Sequence, residues 1–223
     1  MSALVGMEAL SFRYAGSTTY ALSDVTLSVE RGEVVLVAGR PGSGTSTLLL
    51  VAGAYAPRLV GGAIEGGLSI SASRPSIVFA TPWTQLTGLC RTVFAEVAFG
   101  PASHALPRER IRALVGLQLE RLGVAHLSTR DPATLSGGEL QRVIVAAALA
   151  LEPDLLLLDD PAAELDPAAA DALYGLLKET AAEGVGVLVA TPDVERGARV
   201  ASRAIVLEAG RVIHDGEPAG ALA

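Results

Sequence analysis

Apolar and polar positions along the chain follow two rhythms. From Ala3 to Phe12 and from Leu22 to Glu30 they partly alternate, with the turn-rich stretch Gly16 to Thr19 between, so an antiparallel sheet region is expected at the start. Continuous apolar runs follow at Val34 to Ala38, Asp154 to Asp160 and Gly186 to Ala190, the pattern of strands buried on both faces. Further strands are predicted over Ala63 to Ile70 and Ser76 to Phe79, and Arg203 to Glu208 with Arg211 to His214 reads as a hairpin around Ala209-Gly210. Helical spacing marks Ser46 to Ala54, which Pro57 stops, then Thr92 to Phe99, Pro107 to Leu122, the Ala-rich run Val143 to Leu151, Pro167 to Ala182 and Asp193 to Ala201. In the third of these, Ile111, Leu114, Val115, Leu119 and Leu122 form one apolar face for core packing, while Arg108, Glu109, Arg110 and Arg112 fall on the solvated side. Ala80 to Gly88 reads as a loop. Strands alternating with helices through the second half predict a largely parallel sheet and an α/β fold.

Composition narrows the function classes. With 223 residues, 50% hydrophobic and 18% charged, the chain has the apolar material for one large α/β domain, 1–223. A formal charge of −7 argues against sequence-independent nucleic-acid binding, which relies on basic faces. The single cysteine, Cys90, is expected as a buried thiol in a reducing compartment. The opening MSALVGMEAL lacks the basic start and apolar core of a secretion signal. Val143 to Leu151, the most apolar run, falls well short of the roughly 18 to 20 residues that span a bilayer, so no direct membrane insertion is expected. His104, His126 and His214 fall in different elements, and no metal site is expected from them.

Three segments carry candidate chemistry. Gly39 to Thr47, GRPGSGTST, follows a buried-looking strand and opens a helix, the order in which backbone N–H groups curl around phosphates. Against the pattern G-x-x-x-x-G-K-[S/T], Gly39, Gly44 and Ser46 are in place and Thr45 stands where the lysine belongs. Leu135 to Arg142, LSGGELQR, puts Ser136, Gly137 and Gly138 at a helix start, which suits either an anion site or a plain helix cap. Asp159 and Asp160 end a buried strand, where open parallel sheets hold ligands, so they are expected beside the glycine loop. Adjacent acids there suit one that holds Mg²⁺ and one that faces an attacking water. Tyr14, just before the first turn, could stack on a purine or pack at the sheet edge.

GRPGSGTST, LSGGE and LLLLDDPAAELD together resemble the ATP-binding cassette ATPases over essentially the entire chain. VAFGP at Val97 to Pro101, LPRERI and AAALALEPDLLLLD are similar to the ATP-binding subunits of energy-coupling-factor transporters and related cobalt and nickel importers. The resemblance implies a P-loop NTPase of RecA-like core, about 1–79 and 151–223, with an N-terminal antiparallel β region and an inserted α-helical subdomain of about 80–150. It implies head-to-tail pairing of two cassettes with ATP between them, on the cytoplasmic face of a membrane through transmembrane transporter subunits. It further implies that Tyr14 stacks on adenine, that the loop containing Gly39, Gly42, Ser43, Gly44, Thr45, Ser46 and Thr47 cradles phosphates, that Ser46 and Asp159 hold Mg²⁺, and that Asp166 lies at the dimer interface.

Four positions depart from the family. Thr45 replaces the lysine, Ala80 the glutamine after the strand, Asp160 the catalytic glutamate and Pro192 the switch histidine. A lost cation near the phosphates forfeits about 4 kcal/mol of Coulomb attraction at an effective dielectric near 20, before solvent compensation. Asp160 keeps a carboxylate on a shorter stem, and a misplacement of about 1 Å can cost on the order of 100-fold. In the signature, Glu139 stands where glutamine is commoner, a mild change expected to leave the Ser136 hydroxyl and both glycines available. A chain that keeps Ser136, Gly137 and Gly138, the part lent in trans, while its own site is degenerate reads as half of a heterodimer with a second, catalytically competent cassette. The alternative is a non-hydrolysing pseudo-ATPase that serves a structural or regulatory role. A soluble cassette of translation or DNA maintenance is disfavoured by the acidic balance.

Overall fold

The computed structural model describes residues 3–222. Val5–Arg13 (β1) lies between Leu22–Val29 (β2) and Ala63–Ile70 (β4) in a three-stranded antiparallel sheet, as the early alternation predicts. The second sheet has six strands: Val34–Gly39 (β3), Pro75–Val78 (β5), Leu155–Asp159 (β6), Gly186–Ala190 (β7), Arg203–Glu208 (β8) and Arg211–Gly216 (β9). Their order is β5-β6-β7-β3-β8-β9, parallel throughout except for the closing β8/β9 hairpin. Around the sheets, among the described residues, lie six α-helices: Thr45–Ala52 (α1), Val93–Ser103 (α2), Arg108–Arg121 (α3), Gly137–Ala150 (α4), Pro167–Ala182 (α5) and Val194–Ala198 (α6).

The continuous apolar runs are split by the two-residue strand period between two cores. Leu155 and Leu157 of β6, Leu188 and Ala190 of β7 and Val35 and Val37 of β3 pack with α1 and the antiparallel sheet. Leu156, Leu158, Val187 and Val189 point the other way, into helices α2 to α5. A polar residue in these runs would therefore be stranded on either face, which is why the strands are unbroken Val and Leu. In α3, Val115 and Leu119 are buried as their spacing predicts, and Gln118 is buried with them.

Three expectations shift. Cys90 lies half-exposed rather than buried, because the loop that carries it runs over the surface before α2. Within the stretch read as a plain loop, Pro82–Gln85 forms one 3₁₀ turn, and Gln85 closes it onto β5: its Oε1 accepts from the Phe79 N–H at 2.7 Å and its Nε2 donates to the Ile77 carbonyl at 3.0 Å. Helix α6 is five residues long, shorter than Asp193 to Ala201 suggests. Among the described residues, no helix is long and apolar enough to cross a membrane.

The connection from β4 to β5 is clamped by one buried carboxylate. Asp154 accepts from the Ser73 N–H and Oγ–H, both at 2.8 Å, and from the Arg74 N–H at 2.9 Å. Burial alone would raise this carboxyl, but those donors outweigh it and hold the group below its ordinary value. Its contribution is thus present above the ordinary Asp range, near pH 4, and is lost as pH falls through the depressed value. Asp154→Ala should cost about 1–3 kcal/mol at neutral pH by stranding three donors. In urea titrations the gap between wild type and variant should close on acidification, and a gap independent of pH would show that the ionised clamp is not what stabilises this connection.

Candidate functional site

Strand β3 runs directly into the glycine loop. The Ser43 N–H donates to the Arg40 carbonyl at 2.9 Å, with Pro41 second and Gly42 third in the turn. Gly42 has φ of 83°, so the four residues make a type II turn in which the third position needs glycine. Gly44, at φ 102°, is the N-cap of α1, and a Cβ there would come within 2.7 Å of the Ala21 carbonyl oxygen. No side chain caps α1 or α3, whereas Thr92, Ser136, Asp166 and Asp193 cap α2, α4, α5 and α6, and of the two uncapped helices only α1 follows a glycine turn. The first N–H groups of α1 are left for an outside acceptor, which at a helix N-terminus favours an anion. Ser43 points the same way: it is buried, and its Oγ has no hydrogen-bond partner among the described residues.

The register of the parallel strands brings the acids to this loop. Asp159 pairs with Ala190 across β6 and β7, and Ala190 pairs with Val37 of β3, two residues before Gly39. A cavity of about 220 Å³ results, lined by Gly39, Arg40, Thr45, Asp159, Asp160, Thr191 and Pro192 among others. A larger cavity of about 610 Å³ adjoins it across Arg40 and Pro192 and reaches Gly42, Ser43, Val206 and Ile213.

Asp160 has φ of 44°, unusual for a residue with a side chain, and is held there from both ends. Its N–H donates to the Ala190 carbonyl at 2.7 Å, and its Oδ1 accepts from the Thr191 hydroxyl at 3.4 Å. Burial raises its carboxyl, the Thr191 hydrogen bond opposes that rise, and the nearby charges of Asp159 and Asp193 add to it. Behind Thr191 the phenol of Tyr174 is fully buried, and desolvation pushes it up to about 12.

The remaining sequence-derived residues fall in separate places. Tyr14 packs edge-on against Phe12, with ring centroids 4.9 Å apart, and its hydroxyl hydrogen-bonds the Thr47 Oγ1 at 3.0 Å. Ser46 is exposed at the start of α1. Ser46 and Asp159 carry oxygen donors of the kind Mg²⁺ takes, and of the two Asp159 lines the 220 Å³ cavity while Ser46 stands on the first turn of α1 outside its lining. Asp166 caps α5, its Oδ1 accepting from the Ala168 and Ala169 N–H groups at 3.0 and 2.9 Å. Ala80 follows β5 and lines neither cavity.

The signature departs from expectation in one respect. The Ser136 hydroxyl is not free: it donates to Glu139 Oε2 at 2.8 Å and accepts from the Glu139 N–H at 3.4 Å, while the Ser136 N–H also donates to Glu139 Oε2. Those donors pull the Glu139 carboxyl below its ordinary value, so it stays anionic. The Glu164 side chain packs against Gly137, and its carbonyl oxygen would lie 2.8 Å from a Cβ at position 138. Sequence reasoning missed Thr191, Tyr174, Gln85 and Glu164. Only Gln85 left a trace, as a glutamine five residues past the position where Ala80 replaces one.

A glycine turn feeding an uncapped helix, beside paired acids at the ends of parallel strands, defines a P-loop nucleotide-binding cassette. The family profile described as ABC transporter matches residues 22–163. The chain is 36% identical to an energy-coupling factor transporter ATP-binding protein, EcfA, of Methanothermobacter thermautotrophicus over 96% of its length and 71% of the relative. It is also 36% identical to a cobalt import ATP-binding protein, CbiO, of Rhodobacter capsulatus, over 100% of the chain and 81% of the relative. Among solved structures, CbiO1 of Clostridium perfringens superposes with a TM-score of 0.86 at 29% identity, covering 100% of this chain and 91% of that one. A dimeric bacterial ABC transporter cassette gives 0.84 at 26% identity, covering 96% and 98%. The chain belongs to the ABC transporter family, as an ATP-binding cassette.

The raised Asp160 carboxyl has a measurable consequence. The folded chain holds this proton more tightly than the unfolded chain, so ionisation costs stability at neutral pH and costs nothing below the ordinary Asp value of about 3.9. Asp160→Asn should therefore raise the thermal midpoint at pH 7, with an advantage that shrinks as pH falls toward 4. A midpoint gain that does not vary with pH would trace to asparagine's tolerance of positive φ instead.

Proposed function

We propose that this chain is the ATP-binding subunit of a membrane importer of the energy-coupling-factor or cobalt-import kind, and the non-hydrolysing member of a pair of unlike cassettes. The observation that carries this reading is where the departures lie. Thr45, Asp160 and Pro192 all line the single 220 Å³ cavity beside the glycine loop, whereas Ser136, Gly137 and Gly138 lie at the start of another helix with their residue types intact. Three of the four losses thus fall on the site this chain would own, while Ser136, Gly137 and Gly138 of the part it would lend are retained. In this reading the backbone from Gly39 to Thr47 holds the phosphates, Tyr14 meets adenine, and Ser46 and Asp159 take Mg²⁺. Asp160, short-stemmed and held by Thr191, does little to activate water.

The signature segment serves the partner. Ser136 reaches the partner's nucleotide by exchanging its bond to the Glu139 carboxylate for one to phosphate, and the N–H groups of Gly137 and Gly138 add to it. Asp166 lies at the joint between the two cassettes. The helices between β5 and β6, about 80–150, form the subdomain inserted in the RecA-like core. Transmembrane subunits dock the pair on the cytoplasmic face of the membrane and choose the solute.

A second reading, a pseudo-ATPase that supports no hydrolysis, is favoured by the carboxylates of Glu139 and Glu164 at the signature, which a triphosphate in trans would have to approach. Turnover of the reconstituted pair separates the two. The purified chain alone should hydrolyse ATP negligibly, and the pair should be active. Ser136→Ala and Gly138→Ala in this chain should each cut the pair's turnover by about 100-fold, the scale expected when a donor to the transferring group is lost. Unchanged turnover in both variants would sink the heterodimer reading, and a pair that never turns over would establish the second.

A further inference from the structure

We propose that Arg40 supplies the positive charge that Thr45 lacks, contacting the phosphates of a nucleotide held in this chain's own glycine loop from the opposite limb of that loop. The inference rests on the reading that the loop holds nucleotide.

Both cavities beside the loop share Arg40, and among the described residues it is the one basic residue lining either. The other charged residues of the smaller cavity are the acids Asp159 and Asp160, and Thr45 lines it with them. A bound Mg²⁺ would offset those two carboxylates and leave most of the charge of a triphosphate unanswered. The cation that answers it has to come from the cavity rim, because a threonine at position 45 carries none.

Arg40 is available for that task. It is exposed, and among the described residues its guanidinium makes neither an ion pair nor a hydrogen bond. Arg196, whose charge also reaches this region, is committed elsewhere: it is paired with Asp171 at 2.8 Å and with Asp193. The Arg40 backbone is fixed as well, since its carbonyl is bound by the Ser43 N–H and the next residue is Pro41. The side chain therefore springs from a set point one residue beyond β3, at the mouth of the cavity. A guanidinium is the group best matched to such a position, because its planar fork can bond two phosphate oxygens at once and it stays charged at every working pH.

The exchange also has a geometric logic. A lysine at position 45 would rise from the first residue of α1, whereas Arg40 springs from the end of β3. The charge is conserved and its direction is changed. Such a loop can hold nucleotide firmly without placing the cation where hydrolysis needs it.

Equilibrium titration of the purified chain with MgATP and with adenosine tests this. Arg40→Ala should weaken MgATP by about tenfold or more, the worth of a charge-assisted hydrogen bond, and leave adenosine unchanged. Arg40→Lys should fall between, and adding Thr45→Lys to Arg40→Ala should recover the lost affinity. Wild-type affinity in Arg40→Ala, or an equal loss for adenosine, would overturn the role of Arg40 while leaving the loop a nucleotide site. Absence of MgATP binding by the wild-type chain would overturn both.

Discussion

The alignment of three buried parallel strands is the constraint on which the rest depends. With β7 between β3 and β6, the pairings of Ala190 to Val37 and to Asp159 put the glycine loop, both acids and Thr191-Pro192 at one level. A slip of one residue in any of the three would turn its Leu and Val side chains to the wrong core and carry its terminal residue out of the cavity. The packing that stabilises the sheet thus also fixes the chemistry at its edge, and substitutions at the strand ends leave the packing untouched. That separation lets Thr45, Asp160 and Pro192 diverge while the fold superposes closely on related cassettes.

The N-termini of α1 and α4 are prepared differently. Helix α1 begins on Gly44 with no side chain to satisfy it, so its donors stay available, and the unpartnered Ser43 hydroxyl lies beside them. Helix α4 begins with a closed capping box in which Ser136 and Glu139 satisfy one another. The first has donors free for an acceptor, and in the second the cap itself takes them up. An acceptor that takes the Ser136 hydroxyl therefore has to displace its bond to a carboxylate that stays charged.

Much of this was legible in the sequence, and the exceptions share a cause. The strands β3, β6 and β7 and the helix α5 stand out because burial on both faces, or a regular apolar stripe, leaves a mark in the residues themselves. Asp159 and Asp160 could be placed beside the loop from topology alone. What sequence does not reveal is which partner a polar group selects among several within reach. Glu139 could have faced solvent and instead turned back on Ser136; Gln118 sits in the core beside residues whose spacing predicted it, though its own polarity did not. Cys90 departs from the burial usual for a thiol because its loop runs over the surface before α2.

The hydrogen bonds of Gln85 have a consequence for the sheet as a whole. Strand β5 is one of its two edge strands, with β6 on one side only. The backbone N–H of Phe79 and the carbonyl of Ile77 are the groups through which a foreign strand would attach, and one side-chain amide already occupies both. A glutamine side chain here imitates one residue of a missing neighbour strand, donor and acceptor together. It ends the ladder by completing it, and so blunts at this margin the tendency of open sheets to recruit further strands and aggregate.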